Sequence, residues 1–82
     1  GINVALGTDG TASNNDLDMF GEMRIAALLA KGISNDSSVV PARTALRMGP
    51  INAAKALGLD HKIGSLEKDK DADIVAINLD TI

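Results

Sequence analysis

The stretch Gly1-Ile2-Asn3-Val4-Ala5-Leu6-Gly7-Thr8-Asp9-Gly10, continued by Thr11-Ala12-Ser13-Asn14-Asn15-Asp16-Leu17-Asp18-Met19, decides how the rest of the chain is read. Residues 2–6 are a short apolar run bounded by turn formers. That pattern predicts a buried strand, although periodicity alone does not separate it from a helix segment. Residues 7–16 contain only Gly, Thr, Asp, Ala, Ser and Asn, the composition of a loop. Asn14, Asn15 and Asp16 are each able to cap a following helix. Ligands in open α/β sheets and in (β/α)8 barrels gather at the C-terminal ends of strands, where Asp9 stands. On the residues alone two readings of Asp9 stay open: a ligand-facing carboxylate, or an Asx-turn residue beside Gly10. Position by itself favours the turn. Ser13, Asn14 and Asn15 carry the same ambiguity, and capping is the simpler role for them.

Working outward, residues 17–31 predict the clearest helix. Met19, Met23, Ala26 and Ala30 share one face, with Phe20, Ala27 and Leu28 beside it. Ile25 and Leu29 widen the apolar stripe, so this helix expects cover on more than one side. Lys31-Gly32 supplies a cation and a glycine stop. A second helix is expected from Val39 to about Met48, with Pro41 in its first turn. Gly49-Pro50 breaks it, and residues 51–57 form a third, stopped by Gly58. Leu46, Ile51, Ala54 and Leu57 are the expected buried contacts, and the three methionines are read as core filler. Beyond Gly58 the pattern changes to a strand at 63–66, a charged turn at 67–71 and a strand at 72–78, a β-hairpin. The expected order is therefore strand, long loop, three helices, then β, with a boundary near residues 59–62.

Composition removes several classes of function. Of the 82 residues, 45% are apolar and 23% charged, within the ordinary globular range. One Phe and no Trp or Tyr is a poor supply of large core anchors for so short a chain, which predicts a part of something larger. Eight Lys+Arg against eleven Asp+Glu give a net charge of −3, so the basic patch and stacking aromatics of a nucleic-acid module are missing. No apolar run approaches a membrane span of about 18 residues. The first residues lack the pattern of a signal peptide, so no membrane partner and a cytoplasmic location are expected. Both ends read as interior to a larger fold. Without cysteine there is neither a disulfide framework nor a thiolate metal site. GTDGTA has neither dinucleotide-binding nor P-loop spacing. His61, the sole histidine, has no second ligand in its pattern and reads as an exposed loop residue. One carboxylate and one unsupported histidine do not assemble a metal centre.

Three ordered blocks nevertheless carry a family likeness. Gly7-Thr8-Asp9-Gly10, with Ser13-Asn14-Asn15-Asp16-Leu17-Asp18-Met19 and Glu22-Met23, resembles the last barrel strand and following loop of amidohydrolase-superfamily deaminases. Within that group the likeness is to the 5-methylthioadenosine/S-adenosylhomocysteine deaminases and the related triazine-type chlorohydrolases. Thr44-Ala45-Leu46-Arg47-Met48 and Asn52-Ala53-Ala54-Lys55-Ala56-Leu57-Gly58 look like the barrel-closing helices. Ile63-Gly64-Ser65-Leu66-Glu67 with Lys70-Asp71-Ala72-Asp73-Ile74-Val75 looks like the return into a small β-sandwich domain. Two departures are Gly49-Pro50-Ile51, where Ala-Thr and an aliphatic residue are usual, and Asp69, where a turn glycine is usual.

The resemblance implies an α/β fold: residues 1–60 end a (β/α)8 metal-dependent hydrolase barrel, its last strand plus three helices. Residues 61–82 then begin a β-hairpin of the β-sandwich domain. It implies that Asp9 binds a divalent metal, zinc by family habit, contacts substrate and takes part in catalysis. The substrate class implied is a purine nucleoside. The family's first-strand His-x-His pair, later histidine ligands and acid-base glutamate have no counterpart in these 82 residues. A fragment inactive on its own, holding no metal by itself, is therefore expected, associating with itself or with a missing N-terminal portion. The alternatives are a chlorohydrolase fragment, a guanine- or cytosine-type deaminase fragment, or a self-sufficient small binding or assembly domain.

Overall fold

The computed structural model of the chain describes residues 1–78. Its regular structure is three helices, α1 (Met19–Ser34), α2 (Ala42–Met48) and α3 (Pro50–Ala56). α2 packs against both α1 and α3.

Each helix boundary has a local cause, and several differ from the sequence expectation by two or three residues. α1 begins at Met19 because Asp18, in an extended conformation, accepts a hydrogen bond from Phe20 N–H at 3.0 Å. The cap is thus Asp18, not the asparagines before it. Glu22 lies in the first turn and Lys31 in the last, both favourable to the helix dipole. α1 runs through Gly32 and stops at Asn35, whose left-handed φ of 54° lets its N–H reach the Lys31 carbonyl. Lys31 also donates from Nζ to the Val40 carbonyl at 2.7 Å, tying the α1–α2 connection to the helix it leaves. Pro41 precedes α2 as its N-cap rather than sitting inside it, so α2 starts at Ala42. Gly49 separates α2 from α3 at the point where α1 arrives. A Cβ there would meet Met23 Sδ at 3.3 Å, so the short Gly49-Pro50 junction lets α1 lie close.

The expected strands are the main correction. Among the described residues no strand is formed: residues 2–6 and 72–77 are irregular, and 63–65 form a bend. A strand exists only through pairing, and the first segment is instead held by helices. Leu6 N–H donates to the Met48 carbonyl at 3.1 Å. The side chains of Asn3 and Asn52 each reach a carbonyl of the opposite segment, Asn3 Nδ2 to the Asn52 carbonyl at 2.9 Å and Asn52 Nδ2 to the Val4 carbonyl at 3.0 Å. The expected hairpin likewise keeps its turn but not its ladder. Lys70 N–H reaches the Glu67 carbonyl and Asp71 N–H the Lys62 carbonyl, while Gly64 takes a φ of 100°, which breaks the extended run. Residues 79–82, the end of the expected β portion, lie outside the described residues.

Packing is thin. Among the described residues only Met23, Ala45 and Ala54 are buried. Of the expected contacts, Ala54 is buried and Ile51 half-buried, but Leu46 and Leu57 are 54% and 71% exposed. Ile25, Leu28, Leu29 and Ile33 form an uncovered apolar face on α1, as the wide stripe predicted. The accessible surface is 6496 Å², where a folded monomer of this 8.4 kDa mass scales to about 4,600 Å². The helices form, but the described residues do not cover their apolar faces.

Residues 59–66 close over α3 at its C-terminal end. Leu59 N–H donates to the Ala54 carbonyl at 2.8 Å, and Ile63 N–H returns to the Leu59 carbonyl. Beyond this turn, Lys70 Nζ binds the Ser65 hydroxyl at 2.8 Å and the Glu67 carboxylate at 2.9 Å. The Ser65 hydroxyl itself donates to Glu67. The serine bond, then the lysine's hydrogen bond and charge, hold the Glu67 carboxyl below the usual glutamate range.

Two predictions follow from this closure. Gly64→Ala places a Cβ 2.9 Å from Ala54 Cβ and 3.1 Å from Ile51 Cα, at a φ that side chains resist. It is expected to cost about 1–3 kcal/mol, read as a lower denaturation midpoint; an unchanged midpoint refutes the packing assignment. The lowered Glu67 value means the folded state binds its proton less readily than the unfolded state. Its contribution is therefore full above about pH 4.5 and lost as pH falls through the lower folded value. Melting temperature against pH should show this as a shallow acid limb that Glu67→Gln partly flattens.

Candidate functional site

The 7–16 segment is a loop, as its composition dictates, and its architecture comes from its own polar side chains. Asp9 adopts a left-handed φ of 61°, a region that Asp tolerates better than most residues. Its carboxylate Oδ1 accepts from Gly10 N–H at 2.8 Å, and the Thr8 hydroxyl donates to the Asp9 carbonyl at 3.1 Å. Ser13 and Asn14 N–H both return to the Gly10 carbonyl at 3.0 Å, closing a tight turn. The Asp9 carboxylate thus engages the next residue's N–H rather than that of the residue two on, and the tight turn begins at Gly10, after it. The ligand reading stays open, because Asp9 is exposed and Oδ2 has no protein partner among the described residues.

Asn14 is the half-buried centre of the loop. Its Nδ2 donates both to the Thr8 carbonyl and to Glu22 Oε1, each at 2.8 Å, while its Oδ1 accepts from Asp16 N–H at 3.0 Å. The capping role expected for Asn14 is replaced by a brace between the residue before Asp9 and the first turn of α1. Composition could not reveal this, since the eight-residue separation of Asn14 and Glu22 has no periodic signature. Ser13 and Asn15 are exposed, as is His61.

The donor chemistry at Asp9 suits a divalent cation, since a carboxylate oxygen is a normal ligand for zinc. Among the described residues, however, no three His, Cys, Asp or Glu side chains come together as a metal site. No described helix is long and apolar enough to cross a membrane.

Comparison with known proteins gives the chain a family. The profile of the amidohydrolase family matches residues 1–82. A 5-methylthioadenosine/S-adenosylhomocysteine deaminase of Moorella thermoacetica is 57% identical over 79 residues, covering 96% of this chain and 18% of that protein. Its counterpart in Teredinibacter turnerae is 51% identical over 82 residues, covering 100% of this chain and 19% of that protein. Among solved structures, an adenosine deaminase from Xanthomonas campestris with bound zinc matches at a TM-score of 0.84 and 54% identity, over 88% of this chain and 16% of that one. The chain thus spans less than a fifth of the length of these relatives. Matched by the family profile over every residue, the chain belongs to the amidohydrolase family.

Proposed function

We propose that the chain is the C-terminal portion of a metal-dependent aminohydrolase acting on adenosine-type thioether nucleosides such as 5-methylthioadenosine or S-adenosylhomocysteine. The observation that carries this reading is identity above one half to named deaminases across essentially the whole chain. Residues 1–60 are read as the end of the (β/α)8 barrel and 61–82 as the return into the β-sandwich domain. The lack of strand pairing agrees with barrel neighbours that lie elsewhere in the protein. The uncovered α1 face and the large exposed surface favour this reading over a self-sufficient binding or assembly domain. Those apolar faces would be covered by the rest of the protein or by other copies of it.

Asp9 is assigned three roles: metal ligand, substrate contact and proton carrier. A divalent ion bound there, zinc in the solved relative, would supply a water acidified to about pKa 7. The Asp9 carboxylate would accept a proton from the water that adds to the ring carbon bearing the exocyclic amino group and return it to the departing nitrogen as the C–N bond breaks, releasing ammonia. The same carboxylate suits both duties because Oδ1 is fixed by Gly10 N–H while the group stays open to ligand.

In the full-length enzyme, Asp9→Ala is expected to abolish turnover while leaving the fold largely intact, because Asp9 is exposed and buries little apolar area. Retention of more than about a tenth of the wild-type rate, a barrier change under ~1.4 kcal/mol, would make the catalytic assignment wrong. The isolated 82-residue chain should release no ammonia from 5-methylthioadenosine and bind zinc no better than a surface carboxylate. Stoichiometric micromolar binding by calorimetry would contradict the single-ligand count.

A further inference from the structure

We infer that Asn14 and Glu22 are positioning residues for Asp9: Asn14 clamps the Thr8 carbonyl and fastens it to α1 through Glu22. The inference rests on the reading of Asp9 as ligand and proton carrier, and the geometry supplies the rest. Asp9 is a non-glycine residue in the left-handed region, a conformation held only when its surroundings fix it. On its N-terminal side, the peptide joining Thr8 to Asp9 carries the carbonyl that receives Asn14 Nδ2 at 2.8 Å. On its C-terminal side, the Gly10 carbonyl receives the N–H groups of Ser13 and Asn14. Asn14 therefore contacts the loop on both sides of Asp9, once through its side chain and once through its backbone.

The second amide hydrogen of Asn14 makes the arrangement directional. It goes to Glu22 Oε1 at 2.8 Å, a charge-assisted bond to a residue in the first turn of α1. Glu22 lies on a 16-residue helix whose start is fixed by Asp18, so the loop is referenced to a rigid element rather than to itself. The Asn14 side chain is fully used, because its Oδ1 accepts from Asp16 N–H and thereby fixes which end of the amide faces Thr8 and Glu22. Both donor hydrogens of Asn14 Nδ2 are taken by protein acceptors, Thr8 and Glu22. The effect of Asn14 passes through the Thr8–Asp9 peptide to the direction of the carboxylate.

The decisive variant is Asn14→Asp in the full-length enzyme. It keeps the size of the side chain and the acceptor for Asp16, removes both donated bonds, and sets a carboxylate against Glu22. Amide hydrogen exchange at residues 9 and 10 is expected to quicken about tenfold, and zinc affinity by chelator competition to weaken by a similar factor. Turnover should fall through kcat, with KM changed less than about threefold. Glu22→Ala, which removes the anchor from the helix side, should reproduce these losses. Glu22→Gln retains an accepting Oε1 and should restore them to near wild-type values. Unchanged exchange at residues 9 and 10 in both Asn14→Asp and Glu22→Ala overturns the inference, as does equal loss in Glu22→Gln and Glu22→Ala. The exchange measurement does not depend on metal. If Asp9→Ala leaves zinc affinity intact while Asn14→Asp still loosens residues 9 and 10, the ligand reading fails and the brace stands. If Asp9→Ala abolishes zinc binding while Asn14→Asp changes nothing, the brace alone fails.

Discussion

The side-chain bonds of Asn3 and Asn52, each to a backbone carbonyl of the opposite segment, are the constraint on which the placement of the loop depends. A backbone segment without a ladder leaves its amide and carbonyl groups to find other partners. Here the amide of one asparagine side chain satisfies a carbonyl of the other segment, in both directions. With the Leu6 to Met48 bond, residues 3–6 are docked on the α2–α3 corner at three points. Because Asp9 follows three residues after Leu6, the docked segment sets where the loop begins, while Glu22 and Asn14 set where it ends. The carboxylate is held between the two.

The same corner explains why so few buried side chains suffice to order the helices. Met23 of α1 lies against Gly49, and Ala54 of α3 lies beneath Gly64, so the contacts run between small residues and backbone rather than between large side chains. Ala-rich and Gly-containing surfaces allow close approach but bury little area. The apolar area that could add stability, such as Ile25, Leu28, Leu29 and Ile33 on α1, faces outward. Contiguous exposed aliphatic surface of this kind is characteristic of faces that contact other elements.

The three helices were legible in the sequence because their signals are local: apolar spacing, a proline near the start of α2 and the breaks at Gly49 and Gly58. Their ends moved where side-chain chemistry competed. Asp18 won the cap from Asn14 because Asn14 was already engaged by Thr8 and Glu22, and Asn35 rather than Gly32 took the left-handed stop. The apolar runs at 2–6 and 72–78 were legible as segments fit for a sheet, but pairing is a property of neighbours that a run cannot contain. Asp9 was visible from its position after an apolar run. Its brace was not, because two side chains eight residues apart on a loop and a helix meet only once the turn at Gly10 has formed.

That order of formation bears on how precision arises at an exposed loop. Asp9 is solvent-facing, so burial cannot fix its direction, and a free loop carboxylate would sample many orientations. The bonds around it are individually worth about 1 kcal/mol net, yet each removes a different freedom. Gly10 N–H fixes the carboxylate torsion, the Thr8 hydroxyl bonds the carbonyl that follows, and Asn14 fixes the peptide that precedes. Of these bonds the one to Glu22 leaves the loop, and it ties the loop's end to α1 as the docked residues 3–6 tie its start to α2 and α3. A loop fastened only to itself could be tight and still swing as a unit. A long-range bond at its end, made to a charged acceptor on a capped helix, joins the docked start in making a local turn a defined place for a carboxylate.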